Sequence, residues 1–181
     1  MRMTWLVTLA LLGSTALVSA EEAASPYAGQ EAREIKSLSA EEIRGYLAGE
    51  GLGFAKAAEL NHYPGPKHVL ALADKLELTE DQRRETQAIF EAMRVEAKRL
   101  GKRFVELETH LDSLFAASRI APAELETRTQ ELASVWGKIR MAHLRAHLAQ
   151  REILTANQLR KYDALRGYAA SGDHKHHNHG R

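Results

Sequence analysis

Apolar residues recur in steps of three and four through the middle of the chain. They are Phe90, Met93, Ala97, Leu100, Phe104, Leu107, Leu111 and Leu114. This spacing is typical of a helix that packs along one face against a partner helix, as in a coiled coil. It predicts a helix from Thr79 to about Ala117, roughly 55 to 60 Å long at about 1.5 Å per residue. A helix of this length in a small chain needs a partner to cover its apolar face.

The next segment supplies that partner. Ile120-Ala121-Pro122 interrupts the pattern, and proline suits the first turn of a new helix. Helical spacing then resumes towards Ile153 through Leu125, Leu132, Trp136 and Ile139. We therefore predict a long antiparallel helical hairpin over about 79–153, in which positions whose numbers add to about 240 face each other.

A five-residue word, Leu-Thr-x-x-Gln, occurs at both ends of the hairpin. It reads Leu78-Thr79-Glu80-Asp81-Gln82 at the start and Leu154-Thr155-Ala156-Asn157-Gln158 at the end. In each copy the Thr hydroxyl can accept from backbone N–H groups of the first turn, while the Gln reaches back to the Thr backbone. The pattern predicts a capped helix start at each copy. The capping residues are Leu78, Thr79, Gln82, Leu154, Thr155 and Gln158.

Shorter helices precede the hairpin. Ser39 and Glu42 form another capping box, residues 54–60 have helical spacing, and Pro66 suits the first residue of a third helix. The glycines of residues 49–53 follow a helical pattern, so we interpret them as a hinge or close packing point and not as a phosphate loop. The predicted fold class is all-α: a long antiparallel hairpin with shorter flanking helices, in one domain over residues 38–169.

The two ends of the chain have different compositions. Arg2, an apolar run from Trp5 to Val18 and the small residues up to Ala20 predict a cleaved secretory signal peptide over residues 1–20, with an uncleaved membrane anchor as the alternative. Residues 21–37 are predicted to be a flexible acidic lead. Residues 170–181 form a His-rich tail that is predicted to be disordered.

Charge and composition exclude several classes of protein. The 181 residues contain no Cys, and the formal net charge is +1. Removal of residues 1–20 leaves 24 basic and 24 acidic side chains, so nothing indicates nucleic-acid binding. The chain has no Cys nucleophile, no His-Glu-x-x-His and no phosphate loop in a strand-to-helix context. We therefore expect no enzyme activity, no catalytic residues and no required cofactor.

The two Leu-Thr-x-x-Gln words, the export signal, the missing Cys and the long hairpin together resemble the periplasmic Spy/CpxP family, over residues 66–168. The resemblance implies an all-helical, cradle-shaped homodimer. It implies a periplasmic ATP-independent chaperone or envelope-stress-response protein, with unfolded envelope proteins or a membrane sensor protein as partners. The alternative that it implies is a heavy-metal sensor or resistance protein for zinc, nickel, cobalt or copper.

Histidines supply the candidate metal ligands. His143 and His147 lie four residues apart on one helix, the spacing at which two imidazoles can bind one ion, and the predicted hairpin places Glu96 and Met93 opposite them. The competing interpretation is that His143 continues the apolar seam, with His147 beside it. The tail histidines His174, His176, His177 and His179 are candidates for loose metal binding. We interpret His62, His68 and His110 as surface or packing residues.

Overall fold

The computed structural model describes residues 25–168, in two units. Residues 25–31 form a short segment of turns, and residues 32–168 form the helical unit. Six helices are described: α1 (Ala40–Ala48), α2 (Lys56–Glu59), α3 (Pro66–Ala71), α4 (Glu80–Ala116), α5 (Pro122–Ile153) and α6 (Ala156–Arg166). Over the residues described there is no strand, and α4 and α5 pack against each other, which confirms the predicted all-α hairpin.

The long hairpin is made by α4, of 37 residues, and α5, of 32 residues. Ser118 in the connection has a φ of 52°, and Pro122 then opens α5. The buried Gln150 side chain donates a hydrogen bond to Thr86 Oγ1 at 3.1 Å. This pair shows which turns of α4 and α5 face each other. The residue numbers of the pair add to slightly less than the predicted 240.

The buried face of α4 follows the apolar seam only in its middle. Ala97, Leu100, Phe104 and Leu107 are buried, whereas Phe90, Met93, Leu111 and Leu114 are only partly covered. Burial is deepest in this stretch because α1 crosses α4 there. The main core cluster combines α4 and α5 with the segments around α1, through Ile35, Leu38, Phe54, Leu100, Phe104, Leu107, Leu132 and Ile139.

Gly101 allows the crossing of α1 and α4. A Cβ atom at this position would lie 2.1 Å from the carbonyl oxygen of Tyr46, which is backbone and cannot rotate away. The ring of Tyr46 meanwhile packs on Phe104, with ring centroids 4.6 Å apart. A glycine in the interior of a long helix lowers helix propensity, so its presence here has a packing reason.

The two Leu-Thr-x-x-Gln words meet in space. Both form the predicted capping boxes, which confirms the helix starts at Thr79 and Thr155. The side chains of Gln82 and Gln158 also hydrogen-bond each other in both directions, at 2.8 and 2.9 Å. Leu78 and Leu154 both belong to a second hydrophobic core cluster, whose other buried members are Val69, Ala73, Leu76 and Tyr162. The repeated word therefore joins the open end of the hairpin as well as starting two helices.

The predicted signal peptide, residues 1–20, and the predicted His-rich tail, residues 170–181, lie outside the described part. The predicted acidic lead, residues 21–37, is described from residue 25 onward, and within it Ile35 is buried in the main core cluster while Lys36 and Ser37 hydrogen-bond to Asp112 and Glu108 of α4. Among the helices of residues 25–168, none combines the length and apolar character that a membrane crossing requires.

Candidate functional site

A cavity of about 460 Å³ lies where the segments around α1 and α3 cover the hairpin. Residues 48–51 and 66–68 form one side, and side chains of α4 and α5 form the other. The α4 residues are Phe90, Met93, Arg94 and Lys98, and the α5 residues are His143 and His147. Cavities of roughly 300 to 1,000 Å³ are the usual size of small-ligand sites.

His147 is held in a defined orientation by the turn before α3. Its Nδ1 lies 2.8 Å from the carbonyl oxygen of Tyr63. A carbonyl can only accept, so Nδ1 carries the hydrogen in this contact and the neutral ring keeps a lone pair at Nε2. Gly65 makes room for the ring, because a Cβ there would lie 3.0 Å from both Cε1 and Nε2 of His147. A ring with Nδ1 bound to a carbonyl and Nε2 free has the arrangement of a metal-ligating histidine.

His143 is more deeply buried, with 3% of its surface exposed. Phe54 stacks on it, with ring centroids 5.8 Å apart and planes at 2°. Burial lowers the pKa of His143, the neighbouring His147 lowers it further, and hydrogen bonding with the Glu50 backbone opposes the shift. Its Nε2 is buried and has no hydrogen-bond partner among the described residues. A buried polar atom without a partner is unfavourable in a packed interior.

The four predicted metal ligands on the hairpin are placed differently. Met93 lines the same cavity as His143 and His147. Glu96 does not line it, and its carboxylate instead accepts hydrogen bonds from Arg99 at 2.9 and 2.7 Å. Glu96 precedes the buried Ala97, and successive helical residues are about 100° apart around the axis, so its side chain is turned away from the core.

The cavity also contains residues that the sequence analysis did not assign to a site. His68 lines it, and burial lowers the pKa of this ring, with Arg166 adding to the effect. Lys67, Arg94 and Lys98 bring positive charge to the lining, and all three are exposed. Glu50 is the one acidic residue of the lining. From the sequence, Pro66 was predicted to start a helix and His68 was interpreted as a surface or packing residue, so no site was assigned to this side of the cavity.

The part-buried carboxylate of Glu59 holds the turn before Pro66 in place. Glu59 has 13% of its side chain exposed and accepts hydrogen bonds from Tyr162 at 2.6 Å, Tyr168 at 3.1 Å and the Gly65 amide at 3.2 Å. Arg166 lies 3.3 Å from the same carboxylate. This network ties α2 and the start of α3 to α6, and it thereby positions the Tyr63 carbonyl that holds His147.

The residues of the cavity set limits on the metal it could hold. Within residues 25–168 there is no group of three or more His, Cys, Asp or Glu side chains placed to bind one ion. The imidazoles of His68, His143 and His147 and the thioether of Met93 line the cavity. The tail histidines lie outside the described residues.

Comparison of the chain with known protein families, with curated proteins and with solved structures found no match.

Proposed function

We propose that the protein is a periplasmic ATP-independent chaperone or envelope-stress-response protein of the Spy/CpxP type, which binds unfolded clients on the outer face of α5. The observation that carries this proposal is an apolar stripe opposite the buried face of that helix. Met141 and Leu148 are 49% and 55% exposed, and Leu144, which lies between them on the same face, is half-buried. Exposed apolar groups in a row are typical of surfaces that bind other chains.

Positive charge flanks the stripe. Arg145 is exposed beside the stripe, and Arg140 lies over the ring of the 40% exposed Trp136, on the side of α5 that packs against Phe54. Arginine and tryptophan are enriched where proteins contact other chains. An unfolded polypeptide with apolar and acidic segments therefore matches this face in both hydrophobicity and charge.

Suppression of client aggregation tests this proposal. We expect the purified chain to reduce light scattering by an unfolding client without ATP and with metal chelated. The double substitution Met141→Ser and Leu148→Ser should weaken suppression several-fold. Leu165→Ser is the matched control, because Leu165 is an exposed leucine, at 41%, on another helix. Full suppression by the double variant, with unchanged circular dichroism, would contradict the assignment of this face.

A homodimer belongs to the same proposal. The resemblance implies paired hairpins, and the interface of such a pair must leave the stripe open to clients. We expect light scattering to give the mass of a dimer at micromolar concentration. A monomer mass for the wild-type chain would reject this part of the proposal, and loss of the dimer in the double variant would show that the stripe is the dimer interface and not the client site.

Metal sensing or resistance is the second candidate function. It is favoured by the His147 ring, whose Nδ1 contacts the Tyr63 carbonyl while Nε2 stays free, in a cavity shared with His143 and Met93. If metal binding is the primary function, a chelator should abolish suppression of aggregation, and His143→Ala should do the same. Activity that survives both changes supports the chaperone proposal.

A further inference from the structure

Three cationic side chains converge on the cavity from two segments that are far apart in the chain. Lys67 comes from the start of α3, and Arg94 and Lys98 lie one turn apart on α4. Among the described residues, the one carboxylate of the lining is that of Glu50. With its histidines uncharged, the lining therefore has an excess of positive charge, and the potentials of like charges add up in a concave site.

The protein neutralises these cations only weakly. Arg94 lies 3.4 Å from Glu91, but both side chains are nearly half exposed, and such surface pairs are screened by water and salt. Over residues 25–168, neither Lys67 nor Lys98 forms an ion pair within 4.0 Å. The three side chains therefore keep their capacity to bind an anion.

Apolar surface adjoins the cationic groups. Phe90 and Met93 belong to the apolar seam of α4 but are only partly covered, because α1 crosses α4 nearer its middle. The guanidinium carbon of Arg94 lies 5.7 Å from the centre of the Phe90 ring, so charge and aromatic surface share one side of the cavity. A bare inorganic ion would leave this apolar surface in contact with water, whereas a ligand with an apolar part would cover it.

The segment of residues 48–51 is held close to α4. A Cβ atom at Gly49 would lie 3.0 Å from the carbonyl oxygen of Arg94 and 3.0 Å from Cγ of Lys98. Gly49 also has a φ of 69°, which glycine adopts without strain. This close approach confines the stem of Lys98, so less side-chain freedom is lost when its ammonium group binds a ligand.

We propose that this cavity binds a small organic anion that carries a carboxylate, phosphate or sulfonate group. The charged group contacts Lys67, Arg94 and Lys98, since guanidinium and ammonium groups suit oxyanions with several acceptor oxygens. The apolar part of the ligand packs on Phe90 and Met93. The cavity lies on the buried side of α5, so this site is separate from the client surface on the outer face of that helix and goes beyond the proposed function.

A matched pair of fluorescent probes tests the proposal. Anilinonaphthalene sulfonate is the anionic probe, and phenylnaphthylamine, which has the same rings without the sulfonate, is the uncharged one. Both are titrated into the full chain carrying Met141→Ser and Leu148→Ser, so that binding to the outer stripe is reduced. At about pH 8, where ordinary histidines are uncharged, we expect one sulfonate per chain and about tenfold weaker binding of the uncharged probe. Equal affinity for the two probes would overturn the proposal.

Two amide substitutions with opposite expected effects separate charge from general disruption. Lys98→Gln removes a cation and should weaken sulfonate binding by about fivefold, whereas Glu50→Gln removes the carboxylate and should tighten it by about twofold. Lys102→Gln is the matched control, since Lys102 is an exposed lysine one turn further along α4 and outside the lining. Changes of the same sign in Lys98→Gln and Glu50→Gln, or an unchanged affinity in Lys98→Gln, would refute an anion site.

NMR signals of the histidine rings locate the bound probe. His68 lines the cavity, whereas His110 lies towards the other end of α4, with Nε2 4.0 Å from Glu124. The sulfonate should shift the ring signals of His68 and leave those of His110 in place. Binding that leaves the His68 signals unchanged would lie elsewhere on the protein and would overturn the assignment to this cavity.

Competition by inorganic phosphate tests the organic part of the proposal. Phosphate makes no apolar contact, so it should displace the sulfonate only at concentrations about tenfold or more above those of the probe. Displacement at equal concentrations would overturn the organic class of the ligand. All of these measurements are made without a client, so their failure would leave the proposed chaperone function untouched.

Discussion

The reciprocal pair of Gln82 and Gln158 allows a quantitative test of how the hairpin is closed. Gln82 makes four hydrogen bonds through its amide: one from the Thr79 amide at 3.0 Å, one to the Ile153 carbonyl at 3.0 Å, and the two shared with Gln158. Gln158 accepts from the Thr155 amide at 2.9 Å and donates to the Leu76 carbonyl at 3.3 Å. Each glutamine therefore caps its own helix and also contacts the other end of the chain.

The expected free energies follow from these bonds. A part-buried intramolecular hydrogen bond contributes about 0.7 kcal/mol net, within the usual range. Gln82→Ala and Gln158→Ala should each lower the free energy of unfolding by about 2.8 kcal/mol, and the double variant by about 4.2 kcal/mol. The shared pair should appear as a coupling energy of about 1.5 kcal/mol, because two of the bonds are lost in either single variant.

Urea unfolding followed by helical circular dichroism measures all four members of the cycle. Gln87→Ala is the matched control, since Gln87 is an exposed glutamine of α4 that bonds only Glu91 four residues on, at 3.0 Å. It should cost about 0.5 kcal/mol or less. A coupling energy below about 0.5 kcal/mol, with the control behaving as expected, would show that the two words act as independent caps.

Three further predictions concern stability. Thr79→Ala and Thr155→Ala should each lower the free energy of unfolding by about 1 kcal/mol in urea, as expected for a lost N-cap. Gly101→Ala should lower the free energy of unfolding by about 3 kcal/mol or more, because its Cβ would meet a backbone carbonyl of α1. Gly137→Ala, with open space around it, should raise the free energy of unfolding by about 0.5 to 1 kcal/mol. Equal effects of the two substitutions would contradict the close crossing of α1 and α4. The folded state lowers the pKa of His143 below its ordinary value of 6.5, so the unfolded chain takes up the proton first and the free energy of unfolding should fall as the pH drops below 6.5. His143→Gln should reduce this pH dependence, measured by urea unfolding at pH values above and below 6.5. An unchanged dependence of the free energy of unfolding on pH would contradict this prediction.

The sequence alone determined the helices and the way they start. Capping boxes at Thr79 and Thr155, the proline at Pro122 and the spacing of three and four are local signals, because they depend on contacts within one or two turns. Chain reversal near Ile120 then placed Met93 on the side of His143 and His147 by simple counting, since an antiparallel hairpin pairs residues at a nearly constant sum.

Only the tertiary structure decided which side chains share a site. Glu96 satisfied the counting but is turned outward by the burial of Ala97, a rotation that depends on packing against α1 and α5. Residues 48–51 and 66–68 line the cavity because Gly101 admits α1 and the Glu59 network holds the turn at Gly65. These are contacts between segments far apart in the chain. Such contacts depend on volumes and donor positions contributed by several elements at once, and a local pattern carries no record of them.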